Sequence, residues 1–174
     1  HGTVAPGFEA VREAFQRNFT EFHEQGAATA VYVDGQKVVD LWGGIADNLT
    51  GRPWTENTLS LIWSATKGPA AMCALLLIQR GQLNLDTPVA HYWPEFAQNG
   101  KANIPVRMIL SHQAGLPYVE KKLSREDLLD GTAVVKALEA QSPVWQPGSN
   151  HGYHAVTIGY LVGELVKRVS GRSL

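Results

Sequence analysis

The chain has 174 residues, of which 44% are hydrophobic and 18% are charged, and its formal net charge is −1. This composition excludes a disordered chain and is typical of a globular protein that buries one sizeable core. Because basic residues are not in excess, the charge gives no support to a nucleic-acid partner or to an anionic membrane surface.

The only cysteine, Cys73, and the longest apolar run, residues 69–78, bear on the compartment. One cysteine cannot form an internal disulfide, so folding does not depend on an oxidising compartment, and we expect Cys73 to be a small buried hydrophobe. The run is well short of the roughly 20 residues of a membrane span. No signal peptide is visible, which favours a cytoplasmic location. A periplasmic or secreted location stays open, because a signal peptide could have been removed before His1.

The N-terminal third predicts a helix followed by a hairpin. Apolar residues recur at spacings of three and four between Phe8 and Phe22, which predicts an amphipathic helix. Asp34-Gly35 favours a tight turn with positive φ and therefore predicts a β-hairpin over residues 30–42. We expect residues 45–57 to form a loop.

Ser64 and Lys67 lie three residues apart, directly before the apolar run that starts at Pro69. The run predicts a helix that is buried on every side. Residues three apart on a helix share a face, so the lysine amine is placed one turn from the serine hydroxyl. A proline beyond the first turn clashes with a carbonyl one turn back, so we expect an irregular first turn or a helix that begins after Ser64.

This spacing points to a serine nucleophile that works without a histidine. Lys67 can take the Ser64 proton only when its amine is neutral, and both burial and the positive end of a helix favour the neutral form. The backbone N–H of Ser64 would supply one donor of an oxyanion hole. The spacing alone is weak evidence, since it occurs by chance roughly once in a chain of this length.

The rest of the chain is predicted to be mainly helical. Ser124, with Asp127 three residues on, is predicted to cap a helix that continues to about Ala140 with a weak point at Gly131. Apolar residues between 155 and 169 predict a final amphipathic helix capped at Gly171. A hairpin cannot stand alone as a sheet. The fold is therefore mostly helical, or strands that complete the sheet lie beyond Leu174.

Trp63–Gly68 and the small-residue helix after it resemble the active-site start of the serine β-lactamase and penicillin-binding-protein superfamily. The resemblance is closest to the β-lactamase-like carboxylesterases called family VIII esterases. It covers nearly the whole chain, because four further stretches match in order: 83–89, 106–117, 145–148 and 152–155.

The resemblance implies a mixed α/β (α+β) fold of the β-lactamase/penicillin-binding-protein type. An antiparallel sheet flanked by helices would be joined to a helical domain. Residues 1–62 would supply the N-terminal helix and first strands of the α/β domain. Residues 63–174 would form the mainly helical domain. C-terminal strands that carry the family's third motif are expected to lie in further polypeptide, so the sheet is incomplete here.

By the same resemblance, Ser64 is the acylated nucleophile and Lys67 its proton acceptor. Tyr153 is the second-motif tyrosine, which shuttles the proton to the leaving group with a pKa lowered by Lys67. Ala155 stands where many β-lactamases have an asparagine, which favours ester over β-lactam hydrolysis. Trp42-Gly43-Gly44 has the letters of one third motif but precedes the nucleophile, so we interpret it as the structural end of the hairpin.

These features predict a serine carboxylesterase that hydrolyses short-chain or small aromatic esters through an acyl-enzyme. The expected partner is a small-molecule ester, with no cofactor and no metal, because His151 and His154 lack a third ligand nearby. A β-lactamase, D-aminopeptidase or D,D-peptidase on the same fold is the nearest alternative. A sensor or binding protein that is acylated without turnover, or not reactive at all, is a second. A helical scaffold with a chance motif is the third.

Overall fold

The computed structural model describes all residues from 1 to 174, which form two compact units, His1–Leu61 and Ile62–Leu174. The first unit contains an antiparallel sheet and one helix. The second is helical. No helix in either unit combines the length and the apolar character needed to cross a membrane.

The sheet of the first unit is built around its longest strand. The strands are β1 (Gly2–Val4), β2 (Gly26–Val33), β3 (Gln36–Asp47) and β4 (Arg52–Pro53). β3 pairs with β1 and β2 on its two edges, and its C-terminal part pairs with β4. Helix α1 (Glu9–Thr20) covers the sheet, and Phe15, Val39 and Leu41 form the buried core between them.

The predicted hairpin is confirmed, but it is longer than the sequence indicated. Asp34 and Gly35 have φ values of 48° and 76°, as a two-residue turn of this type requires. β3 continues to Asp47, so Trp42-Gly43-Gly44 lies inside the strand, where it pairs with residues 26–28. The prediction that it ends the hairpin was wrong. The predicted loop also contains β4, because the chain folds back onto the end of β3.

Helix α1 is shorter than its apolar spacing predicted. It ends at Thr20, and the Phe22 side chain beyond it is 72% exposed. His23 has a φ of 57°, which is incompatible with a continued right-handed helix. The chain turns there towards β2, so the last apolar position of the pattern falls outside the helix.

The second unit packs around its C-terminal helix. The helices are α2 (Lys67–Gln79), α3 (Val89–Tyr92), α4 (Val106–Leu110), α5 (Arg125–Asp130), α6 (Thr132–Ala140) and α7 (Thr157–Ser170). α7 contacts α2, α3, α4 and α6. Its apolar face supplies Leu161 and Leu165 to a core that also contains Trp93 and Phe96.

Several predicted helix ends are confirmed. Ser124 and Asp127 form a reciprocal capping box at the start of α5. Gly131, with φ at 76°, separates α5 from α6, and Gly171 ends α7. Ahead of α2, residues Trp63–Thr66 form a 3₁₀ turn, so the irregular start is confirmed. Pro69 is the third residue of α2, where a backbone N–H has no partner inside the helix.

The burial predicted for α2 was wrong for these 174 residues. Ala74 and Leu77 are its only buried residues, whereas Met72 is 68% exposed and Leu75 and Leu76 are exposed as well. Cys73 is also exposed, contrary to its prediction as a buried hydrophobe. The physical reason is that α2 packs along one side on α7, while apolar residues run all the way round it.

Candidate active site

Ser64 lies in the 3₁₀ turn that leads directly into α2, and Lys67 is the first residue of that helix. Lys67 Nζ donates a hydrogen bond to Ser64 Oγ at 3.0 Å. Trp63, just before the serine, has a φ of 46°, a left-handed conformation that is rare for a bulky residue. Backbone strain of this kind often marks functional sites.

Tyr153 reaches the same serine from a loop before α7. Its hydroxyl donates to Ser64 Oγ at 2.8 Å across a sequence separation of 89 residues. Lys67 Nζ lies 4.8 Å from the centre of the Tyr153 ring. The structure therefore brings all three residues of the predicted site together, with the serine oxygen between the amine and the phenol.

A backbone carbonyl completes the surroundings of the lysine. Lys67 Nζ donates to the carbonyl oxygen of Ala155 at 2.7 Å. A neutral amine keeps two N–H groups and one lone pair. The carbonyl can hold one N–H in either protonation state, which leaves the lone pair free to face Ser64. Sequence reasoning considered Ala155 only for its missing amide, because the direction of a carbonyl leaves no signal in the side chain.

The charges at the site act on the phenol. The pKa of Tyr153 is lowered from its ordinary value, first by the hydrogen bond with Ser64 and then by the one with Lys67. The predicted direction is the same, but the predicted main cause, Lys67, comes second. Ser64 and Tyr153 are exposed, and Lys67 is half-buried.

An apolar cleft opens beside Ser64. It has a volume of about 490 Å³ and includes Ser64, Lys67 and His112 in its wall. The rest of the lining is mostly small or aliphatic and comes largely from α2 and α7: Ala70, Ala71, Leu110, Val156, Ile158 and Val162. A cleft of this character can accept a small apolar group next to the serine oxygen.

Three histidines lie on or beside the loop that carries Tyr153. The imidazole of His154 is completely buried, and its Nε2 accepts the backbone N–H of Leu116 at 2.9 Å. His112 Nδ1 accepts the backbone N–H of His154 at 3.0 Å, and its ring centre lies 5.0 Å from that of Tyr153. His151 is exposed, with its ring 5.9 Å from that of His112.

Known proteins are similar to this chain in both sequence and fold. The sequence pattern of the Beta-lactamase family matches residues 15–174. The chain belongs to the beta-lactamase family. The predicted resemblance is therefore confirmed, as is the predicted mixed α/β fold with an antiparallel sheet. Two solved structures and one further relative show how much of the length of similar proteins this chain covers.

A crystal structure described as a family VIII carboxylesterase is 42% identical, with a TM-score of 0.96 over 99% of this chain and 47% of its own. A penicillin-binding-protein homologue from Caulobacter crescentus is 42% identical, with a TM-score of 0.93 and the same two coverages. The esterase/beta-lactamase LipL of Mycobacterium tuberculosis is 39% identical over 173 residues, which are 99% of this chain and 40% of that protein. The beta-lactamase-family chain thus spans less than half the length of these relatives.

Proposed function

We propose that this chain carries the nucleophile part of a serine carboxylesterase site, which hydrolyses short-chain or small aromatic esters through an acyl-enzyme on Ser64. The observation that carries the proposal is the position of Ser64 Oγ, 3.0 Å from Lys67 Nζ and 2.8 Å from Tyr153 Oη. Relatives described as an esterase/beta-lactamase and as a family VIII carboxylesterase support the reaction class.

In the acylation step, Ser64 Oγ forms a bond to the ester carbonyl carbon while its proton passes to the neutral amine of Lys67. The backbone N–H of Ser64 donates to the developing oxyanion. The early N–H groups of a helical turn have no partner inside the turn, so no intrahelical acceptor competes for this donor. The proton then moves through the Tyr153 hydroxyl to the leaving oxygen, the carbon–oxygen bond breaks, and the alcohol departs.

In the deacylation step, a water molecule attacks the acyl carbon and gives a proton to the Lys67–Tyr153 pair. The bond between the acyl carbon and Ser64 Oγ breaks, Ser64 recovers a proton from the same pair, and the acid leaves. Lys67 and Tyr153 thus end each cycle in the protonation states in which they began.

Two features favour esters over amides. The side chain at position 155 is a methyl group, so it offers no amide to bind a β-lactam or peptide. The cleft beside Ser64 is lined mainly by apolar atoms and is suited to a small acyl or aromatic group.

We place the remainder of the site in polypeptide outside these 174 residues. The relatives are more than twice as long as the matched region, which leaves room for it. In this proposal, residues 1–62 belong to the α/β domain and 63–174 to the helical domain. The absent C-terminal strands supply the third motif and the second oxyanion donor.

The test is performed on the full-length protein and compares nitrophenyl acetate with a chromogenic cephalosporin. We expect hydrolysis of the ester, and its abolition in Ser64→Ala. Turnover of the cephalosporin alone would assign the site to the amide-directed alternative.

A fluorophosphonate probe separates enzymes from binding proteins. We expect a single adduct on Ser64 by intact mass, absent in Ser64→Ala. An adduct without ester turnover would indicate a sensor that is acylated but not regenerated. The absence of any adduct would contradict both the carboxylesterase and the amide-directed hydrolase.

A further inference from the structure

The loop that carries Tyr153 is held in place by two histidines. The backbone N–H of His154 donates to His112 Nδ1 at 3.0 Å. The His154 ring pairs through Nε2 with the backbone N–H of Leu116 at 2.9 Å, and through Nδ1 with the carbonyl oxygen of Gly152 at 2.6 Å. The segment after α4 is thereby joined to the loop before α7.

These bonds assign the proton positions on both rings. His154 Nε2 accepts, so its proton is on Nδ1, which donates to Gly152. His112 Nδ1 accepts, so a neutral His112 carries its proton on Nε2. Both residues have a lowered pKa, and burial is the largest cause in each case. A proton added to His112 Nδ1 would replace the bond from His154 with a repulsion between two donors.

The location of the bond connects His112 to the chemistry. His154 lies between Tyr153, whose hydroxyl reaches Ser64, and Ala155, whose carbonyl holds Lys67. The His112 ring also packs against the Tyr153 ring, with centres 5.0 Å apart and an interplanar angle of 49°. The His112 imidazole therefore binds the backbone between Tyr153 and Ala155 and also packs against the phenol ring.

We propose that neutral His112 is a positioning residue of the active site. It holds the Tyr153 hydroxyl within hydrogen-bond distance of Ser64, and the Ala155 carbonyl within hydrogen-bond distance of Lys67. This inference rests on the proposed function and deepens it. The charged and titratable groups that face His112 are His151, Tyr153 and His154 from the Tyr153 loop and Lys67 from α2. Three of the four are basic, so they also disfavour a second proton on His112.

The experiment compares His112→Gly with His112→Asn in the full-length protein. Position 112 has a φ of 61°, which glycine and asparagine both tolerate, so neither variant strains the backbone. Glycine removes both the acceptor and the ring. Asparagine places Oδ1 close to where Nδ1 lies and can still accept the His154 N–H.

We expect His112→Gly to lower kcat for nitrophenyl acetate by roughly 10- to 100-fold per fluorophosphonate-labelled site, with KM changed less than about threefold. His112→Asn should return kcat to within roughly fivefold of the wild type. The matched control is His91→Asn, which changes a histidine packed on Tyr92 at 4.8 Å outside the site and should leave kcat unchanged. Wild-type kcat per labelled site in His112→Gly, or equal losses in both variants, would overturn the proposal.

A second measurement does not depend on turnover. The pKa of Tyr153, followed by NMR of ¹³C-labelled tyrosine, should rise towards its ordinary value in His112→Gly, because the phenol loses its position beside Ser64 and Lys67. An unchanged Tyr153 pKa would refute the positioning role even if the protein hydrolysed no ester. Conversely, the wild type could fail both to react with the fluorophosphonate and to hydrolyse the ester while the Tyr153 pKa still differs between wild type and His112→Gly. That result would contradict the proposed function but not the positioning role of His112.

Discussion

Lys67 Nζ lies 2.7 Å from the carbonyl oxygen of Ala155, a residue 88 positions later in the chain. This contact ties the start of α2 to the segment that leads into α7. It fixes one N–H of the lysine. The other side of the nitrogen faces Ser64 Oγ, which is 3.0 Å away. The contact holds the Lys67 amine in place beside Ser64.

Replacement of Lys67 tests its proposed role as the base. Lys67→Ala and Lys67→Arg should both lower kcat/KM for nitrophenyl acetate by roughly 10²- to 10⁴-fold, the range that proton transfer by a placed side chain contributes. Arginine keeps the positive charge but cannot lose its proton, so it separates basicity from charge. Activity near the wild-type level in Lys67→Arg would show that the charge alone is required.

Removal of the Tyr153 hydroxyl tests the proton shuttle. Tyr153→Phe keeps the ring that packs on His112 but loses the bond to Ser64 Oγ. We expect kcat to fall by at least roughly 100-fold, with little change in thermal stability because the side chain is exposed. Tyr118→Phe, at another exposed tyrosine, is the control and should behave as wild type. A fully active Tyr153→Phe would remove the tyrosine from the mechanism.

Acid should destabilise the fold through His154. Its pKa is lowered in the folded protein by burial, whereas an unfolded histidine titrates near 6.5. Below that pH the unfolded chain binds more protons than the folded one, so the stabilisation is complete above about 6.5 and is lost as the pH falls towards the folded pKa.

Thermal melts of the full-length protein between pH 7.5 and pH 5 measure this effect. His154→Gln keeps an acceptor for the Leu116 N–H without a titrating ring, so its melting temperature should fall less with acid than that of the wild type. His91→Asn should follow the wild type. Parallel curves for wild type and His154→Gln would assign the acid sensitivity to other groups.

Lys101 should stabilise the helical unit from inside it. Its side chain is fully buried, and Nζ donates to the carbonyl oxygens of Gln98, Glu139 and Gln141. Lys101→Met would leave these carbonyls without that donor, which should lower the free energy of unfolding by on the order of 3 kcal/mol in urea denaturation. Lys136→Met, at an exposed position of α6, should change it little. Equal stability of the two variants would contradict a structural role for Lys101.

The pKa of Lys101 predicts how its contribution to stability changes in alkali. Burial lowers the pKa of Lys101 to about 8 from 10.5. Between these values the unfolded chain binds more protons, so the contribution of Lys101 to the free energy of unfolding should increase as pH rises through this window. The stability difference between wild type and Lys101→Met, measured at pH 7.5 and pH 9.5, should therefore widen. A difference that narrows would indicate that the carbonyl acceptors keep the amine charged.

Features that depend on neighbours along the chain could be predicted from the amino-acid sequence. Positive φ at Asp34-Gly35, the capping box at Ser124 and the break at Gly131 follow from local backbone energetics, and the structure confirms each of them. The one-turn approach of Lys67 to Ser64 is equally local, since helical geometry brings residues three apart together.

Contacts that depend on how the helices pack could not be predicted from the sequence and are visible only in the folded chain. The carbonyl of Ala155 and the imidazoles of His112 and His154 join the site through bonds that span about 40 or more residues, and a backbone oxygen carries no sequence signal. Burial of α2 was predicted wrongly for the same reason. Apolar composition shows what a helix can bury, but the neighbours present decide which of its faces are covered.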